Sequence, residues 1–420
     1  MKEIKPAKEI NARVSVPGSK SCSHRIAVAA ALSDGICNIY NYLNSQDTNY
    51  TLDALEQLGV NIEYNTDKYI IHGCPANFAP GPKTIYLGNS GTSMRLLTAV
   101  SALGPGPYRL CGTERMHQRP IGELLFALER IGVSAVSVNL DNCPPVEIRG
   151  GRITGNYTEI DCSKSSQYLS GLLLMAPCTR DGLDIHVLAG PVSKPYVEMT
   201  LDIMTMFGVG YERDGFGFFR VYGSQAYTPG TYTVEPDCSQ AGYFWAAAAI
   251  TGSTVGITGI SHETHQGDVR FAEVLEKMGC RVSETSEGIF VTGSRLLAVD
   301  EDLGDMPDMV PTLAVVASFA KGTTIIRNVA HLRDKESDRL FAVASELGKM
   351  GVEAIATQDG LRISGSRPHG AEIETYDDHR IAMSFAVAGL AVPGIKIRNP
   401  SCVEKSFPDF WDVFERLYNK

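Results

Sequence analysis

Apolar residues recur at helical spacing in one repeated phrase. Leu52-Asp-Ala-Leu-Glu-Gln-Leu-Gly-Val60 has counterparts at 124–133, 199–209, 271–280 and 340–352, each an amphipathic helix followed by glycine. The interval is about 70 residues, and Phe410-Trp-Asp-Val-Phe-Glu-Arg-Leu417 reads as a sixth copy. A second helix per interval is expected at 25–32, 94–103, 167–175, 240–250, 310–320 and 380–390. These are apolar all round, Trp245-Ala-Ala-Ala-Ala-Ile250 most of all, which marks helices buried inside a layer. Short β-rich segments at 69–72, 146–149, 288–292 and 361–364 adjoin glycine turns. The pattern predicts α/β repeats with helices within and sheets outside, changing domain near Val234-Glu-Pro-Asp-Cys238.

With 420 residues, 44% of them apolar and 20% charged, the chain is expected to fold as two domains. The net charge of −10 argues against a nucleic-acid or membrane-surface binder, so any basic pocket must be local. Ten cysteines show no CxxC pair, and His262-Glu-Thr-His265 lacks the zinc-protease spacing, so reduced thiols and no metal are expected. Without an apolar stretch after Met1 or a run of 18 apolar residues, a cytoplasmic protein is expected.

The candidate chemistry centres on Lys335-Glu336-Ser337-Asp338-Arg339. If Asp334 caps the following helix, Lys335 and Arg339 lie one turn apart on one face, and their repulsion asks for an anion. The plain alternative pairs Glu336 with Arg339 on a solvated face. Val16-Pro-Gly-Ser-Lys-Ser-Cys-Ser-His-Arg25 reads as strand, turn and helix start, capped by Ser21 or Ser23, with Lys20 and Arg25 beside exposed N–H groups. The two glycines of Leu87-Gly-Asn-Ser-Gly-Thr-Ser-Met-Arg-Leu96 let backbone approach a ligand closely, the alternative being a tight turn with a surface arginine. Arg119 precedes a helix expected to begin at Pro120, while Ser165-Ser166-Gln167 and Ser193-Lys-Pro-Tyr196 open further helices as caps or as ligand contacts. Asp377-Asp378-His379-Arg380 puts an arginine at the helix end that disfavours cations, and Lys405-Ser-Phe-Pro-Asp409 adds a lysine. Lys20, Arg25, Arg95, Arg119, Lys335, Arg339, Arg380 and Lys405 thus point to one cleft between domains that takes small polyanions.

These motifs, in this order and over nearly the whole chain, resemble the 5-enolpyruvylshikimate-3-phosphate synthase family. The resemblance implies a two-domain inside-out α/β barrel of six repeats, with residues 19–236 as one domain and residues 1–18 plus 237–420 as the other. It implies transfer of the enolpyruvyl group of phosphoenolpyruvate to shikimate 3-phosphate, without a cofactor, in a monomer. By carry-over, Lys20, Ser21, Arg25, Ser165, Ser166, Gln167, Ser193, Tyr196, Asp308 and Lys335 hold shikimate 3-phosphate. Lys20, Gly91, Arg119, Gln167, Arg339, Arg380 and Lys405 hold phosphoenolpyruvate. Adding an alcohol to an enol phosphate requires an acid and a base, and Glu336 and Asp308 take those roles, with Lys20 stabilising the intermediate.

Ser90 and Leu96 depart from the alanine and proline common in the family, so sensitivity to its inhibitor glyphosate does not follow from the resemblance; nor does a contact from His331, where many members carry asparagine. A sister enzyme acting on UDP-N-acetylglucosamine would have asparagine after Lys20 and a reactive cysteine within 115–119. This chain has Ser21 and no such cysteine. The other alternative is a non-catalytic binder of anionic metabolites.

Overall fold

The computed structural model describes residues 1–7, 9–75 and 77–418. Two compact units are present, one formed by Gly18–Val234 and the other by Met1–Pro17 with Glu235–Lys420. The first boundary falls before Gly18 because a β-carbon there would meet the Asn41 carbonyl oxygen at 1.9 Å; this residue is packed into the first unit. Val234 closes the same unit, its N–H donating to the Tyr40 carbonyl at 3.0 Å.

The first unit contains α1 (Lys20–Ala31), α2 (Gln46–Gln57), α3 (Gly91–Val100), α4 (Gly122–Arg130), α5 (Gln167–Met175) and α6 (Pro195–Met206). In the second are α7 (Cys238–Thr251), α8 (Phe271–Lys277), α9 (Val310–Ala317), α10 (Arg339–Lys349), α11 (His379–Gly389) and α12 (Phe410–Glu415). Every residue of α3, α9 and α11 is buried, as is nearly all of α1, α5 and α7. Mostly apolar or small side chains allow this, and the buried Arg25, Arg95 and Arg380 are hydrogen-bonded within the protein.

The amphipathic helices α2, α4, α6, α8 and α10 end alike. Gly59, Gly132, Gly208, Gly279 and Gly351 all have positive φ. The residue after each returns its N–H to the last turn, as Val60 does to Leu55 and Val352 to Leu347. Glycine reaches this left-handed conformation without a β-carbon clash, so the helix stops and its orphan carbonyls are satisfied.

Among the described residues, five sheets have four strands and one has three. Lys83–Tyr86, Tyr108–Cys111, Ser134–Ser137 and Val146–Arg149 pair in the order first, second, fourth, third, with only the first pair parallel. The same order serves the strands at Tyr157–Asp161, Leu183–Ala189, Tyr211–Asp214 and Phe218–Val221. Buried and exposed positions alternate along Ser134–Ser137, so one sheet face meets the helices and the other meets water. At the two crossings the leading strand is exchanged. Asn11–Val14 precedes α1 in sequence but pairs in parallel with Thr254–Thr258 of the second unit. Thr231–Thr233 precedes α7 but pairs with Ile36–Tyr40 of the first.

The starts of α1 and α4 differ from the sequence reading. Ser19, rather than Ser21 or Ser23, caps α1, its side chain accepting from the Cys22 N–H. α4 begins at Gly122, two residues after Pro120. Among the described residues, no helix is long and apolar enough to cross a membrane.

Candidate active site

In the first unit, the capping of α1 at Ser19 puts Lys20 in its first position and Arg25 on the second turn. Lys20 Nζ lies 3.4 Å from the buried Asp47 carboxylate at the start of α2. Arg25 is fully buried. It donates to the Thr200 hydroxyl at 2.7 Å, the Ser21 carbonyl at 2.9 Å, and the Ser170 hydroxyl and Tyr196 carbonyl at 3.2 Å each. α1, α5 and α6 therefore meet on one guanidinium. Burial lowers its pKa to about 10, and no carboxylate is among its partners in the described residues. A buried cation surrounded only by neutral acceptors favours an incoming anion.

A second arginine cluster forms around the start of α3. Arg119 donates to the Asn89 carbonyl at 2.9 Å and to its side-chain oxygen at 3.1 Å. Arg95 donates to the Gln167 side chain at 3.1 Å, and Gln167 donates to Thr92 at 2.9 Å. Gly91 sits where both guanidinium groups approach: a β-carbon there would lie 2.4 Å from Arg119 Nη2 and 2.5 Å from Arg95 Nη1. Ser90 caps α3 and bonds Ser93, which continues through Thr51 to His24 in 2.7–2.8 Å steps. The buried Ser165 and Ser166 open α5; Ser165 accepts from the Gln167 N–H, while Ser166 makes no side-chain capping bond. Ser193, with φ of 54°, sets the turn before α6 and accepts from the Tyr196 N–H. Gln167 and Ser170, one turn apart on α5, thus serve the Arg95 and Arg25 clusters respectively.

In the second unit the 335–339 stretch corrects the sequence reading. Asp338, not Asp334, caps α10, accepting from Phe341 N–H at 3.0 Å, so the helix starts at Arg339. Lys335 follows a 3-10 turn, Ala330–Asp334, with an extended backbone, and does not share a helix face with Arg339. The repulsion inferred between the two on one helix therefore does not arise. Arg339 is 1% exposed and meets three carboxylates: Asp378 at 2.8 Å, Asp308 at 2.8 Å and Glu336 at 2.7 Å. Burial opposes its charge, but Asp378, Glu336 and Asp308 outweigh that and hold the pKa above its ordinary value. The Glu336–Arg339 pairing noted as an alternative is present, but buried.

Asp308 bridges to a second cation, accepting from Arg380 Nη2 at 2.6 Å. Arg380 also donates to the Tyr243 hydroxyl of α7 at 3.1 Å. Asp378 caps α11 through the Arg380 N–H and receives the Ser337 hydroxyl, tying the starts of α10 and α11 together. His331 is held neutral: burial first, Lys335 next and Arg339 as well push its pKa to about 3, against the pull of Asp308. Lys405 closes the 3-10 turn Pro400–Lys405 rather than opening a helix, and it is buried. The next residue, Ser406, accepts from Gln240 of α7.

Each unit therefore gathers its own set: Lys20, Ser21, Arg25, Gly91, Arg119, Ser165, Ser166, Gln167, Ser193 and Tyr196 in one, and Asp308, Lys335, Glu336, Arg339, Arg380 and Lys405 in the other. Sequence reasoning does not find Asp47, Asn89 and Tyr243, which hold Lys20, Arg119 and Arg380 across long separations. It had placed Asp378 only as a helix-dipole acid. No group of three or more metal-ligating side chains occurs among the described residues.

A family model described as EPSP synthase (3-phosphoshikimate 1-carboxyvinyltransferase) matches residues 4–414. A 3-phosphoshikimate 1-carboxyvinyltransferase from Syntrophobacter fumaroxidans is 45% identical over 99% of both chains. The chloroplastic enzyme of that name from Arabidopsis thaliana is 44% identical over 99% of this chain and 84% of its own. Among solved structures, EPSP synthase from Acinetobacter baumannii superposes with a TM-score of 0.81 at 29% identity, covering 99% of this chain and 97% of that one. The chain belongs to the EPSP synthase family.

Proposed function

We propose that this enzyme transfers the enolpyruvyl group of phosphoenolpyruvate to the 5-hydroxyl of shikimate 3-phosphate, releasing inorganic phosphate on the route to chorismate and the aromatic amino acids. The relatives carry the corresponding name over matches that span 99% of this chain. The observation that carries the residue assignment is that Asp308 and Glu336 share the Arg339 guanidinium, with Asp308 also on Arg380. Two carboxylates amid cations suit a reaction that needs both a base and an acid.

In this reading, Asp308 takes the proton of the 5-hydroxyl as its oxygen bonds to C2 of phosphoenolpyruvate, while Glu336 delivers a proton to the C3 methylene. The product is a tetrahedral intermediate, stabilised by Lys20. Breaking the C2–O bond expels phosphate, and loss of a proton from C3 restores the double bond. The alcohol's proton leaves, in net, with the phosphate. Lys20, Ser21, Arg25, Ser165, Ser166, Gln167, Ser193, Tyr196, Asp308 and Lys335 hold shikimate 3-phosphate. Phosphoenolpyruvate is held by Lys20, Gly91, Arg119, Gln167, Arg339, Arg380 and Lys405. Preorganised cations stabilise charge most where water is excluded, and Arg25, Arg119, Arg339 and Arg380 are all buried.

In this reading the molecule is a monomer, a two-domain inside-out α/β barrel with three repeats to each domain. The shared strand order of the four-stranded sheets supports the repeats. Phosphate release measured with both substrates present tests the function. Release that requires both is the expected result; binding of both without phosphate would leave a non-catalytic protein.

A further inference from the structure

One buried carboxyl has no part in this scheme. Asp268, on the 3-10 turn Gly267–Arg270, is 4% exposed and accepts a hydrogen bond from the Ser239 hydroxyl of α7. Its other oxygen is buried with no hydrogen-bond partner among the described residues. Ser239 and Tyr243 lie one turn apart on the same face of α7, and Tyr243 holds Arg380, which in turn holds Asp308. Through α7, Asp268 is thus linked to the element that holds the Asp308–Arg380 pair, and among the described residues it makes no ion pair of its own.

We propose that Asp268 is a positioning residue whose gain or loss of a proton sets how strongly Arg380 is held within the protein, and so how freely it receives the phosphoenolpyruvate anion. The inference rests on the assignment of Arg380 to phosphoenolpyruvate. A carboxylate with an unpartnered buried oxygen is costly, and the neutral acid relieves that cost. Burial, followed by repulsion from Asp308, raises the pKa of Asp268 to about 7, with Arg380 and the Ser239 hydroxyl opposing and Asp237 adding. Asp237, which caps α7, Asp308, from the turn Pro307–Met309, and Arg380, from α11, are the charged groups facing it. As pH rises through that value, Asp268 becomes a carboxylate, draws on Arg380, and opposes an anionic ligand there.

The test is the pH profile of kcat/KM for phosphoenolpyruvate in wild type, Asp268→Asn and Ser239→Ala, alongside infrared titration of the protonated-carboxyl stretch. Wild type should lose about tenfold over roughly two pH units around the midpoint. Asp268→Asn should flatten that limb and remove the infrared band. Ser239→Ala should move both to higher pH, because the lost hydroxyl favoured the charged form. If Asp268→Asn does not fold, Ser239→Ala and the wild-type band decide. A limb that persists in Asp268→Asn, or stays in place in Ser239→Ala, overturns the proposal. So does a carboxyl band that titrates near 7 with no accompanying change for phosphoenolpyruvate; that result would locate the failure in the Arg380 assignment rather than in the proton.

Discussion

Replacing Gly91 with alanine should weaken phosphoenolpyruvate selectively. The new β-carbon would lie 2.4 Å from Arg119 Nη2, 2.8 Å from Arg119 Cζ and 2.5 Å from Arg95 Nη1. Ordinary contact between such atoms is about 3.5 Å, so the guanidinium groups must withdraw by about 1 Å. Arg119 bonds Asn89 at 2.9 and 3.1 Å, and a shift of that size takes these bonds out of range. A hydrogen bond to a charged group contributes about 1.5–3 kcal/mol, so one misplaced contact to the ligand corresponds to roughly a 10- to 150-fold loss. Gly91 occupies the first position of α3 with helical backbone, and alanine is the better helix former by about 1 kcal/mol. That gain offsets part of the crowding, so the melting temperature should move little. Steady-state kinetics with each substrate varied would show KM for phosphoenolpyruvate raised at least tenfold, with KM for shikimate 3-phosphate within about twofold. An unchanged KM for phosphoenolpyruvate would refute the placement of the ligand at Arg119, and an equal rise for both substrates would point to a general collapse of the α3 start.

Glu336→Gln should cut kcat by about 10²–10⁴ while shikimate 3-phosphate still binds, as equilibrium titration would show; an equal loss of binding would make Glu336 a structural partner of Arg339. His331 links stability to acid. Its pKa falls from 6.5 to about 3 in the fold, so the unfolded chain binds the extra proton first, and stability present above pH 6.5 is lost as pH falls toward 3. The total is up to about 5 kcal/mol. In His331→Asn the melting temperature should therefore fall less between pH 7 and pH 4 than in wild type, and parallel curves would contradict this.

The helices were legible where apolar pattern alone decides. Gln167–Met175 coincides with its expected span because its residues are mostly apolar and all but the first are buried. The glycines after the amphipathic helices were equally plain, since left-handed backbone favours glycine. Helix starts were not, because several capping residues compete. At 334–338 two aspartates could cap, and Asp338 does so while also binding Arg333, a choice that depends on contacts outside the helix. Strand exchange at the crossings left no local mark, since Asn11–Val14 and Thr231–Thr233 precede buried helices as any leading strand would. Candidate cations stood out against an acidic chain, yet their partners did not. Tyr243 and Arg380 are 137 positions apart, and neither announces the other.

The central claim is that the buried arginines Arg119 and Arg339 hold phosphoenolpyruvate. Calorimetric titration of phosphoenolpyruvate, with shikimate 3-phosphate present, into Arg119→Lys and Arg339→Lys tests it most directly, because a lysine keeps the charge but loses the two-pronged geometry. Each variant should bind phosphoenolpyruvate at least about tenfold more weakly than wild type. Wild-type affinity in either one would contradict the account.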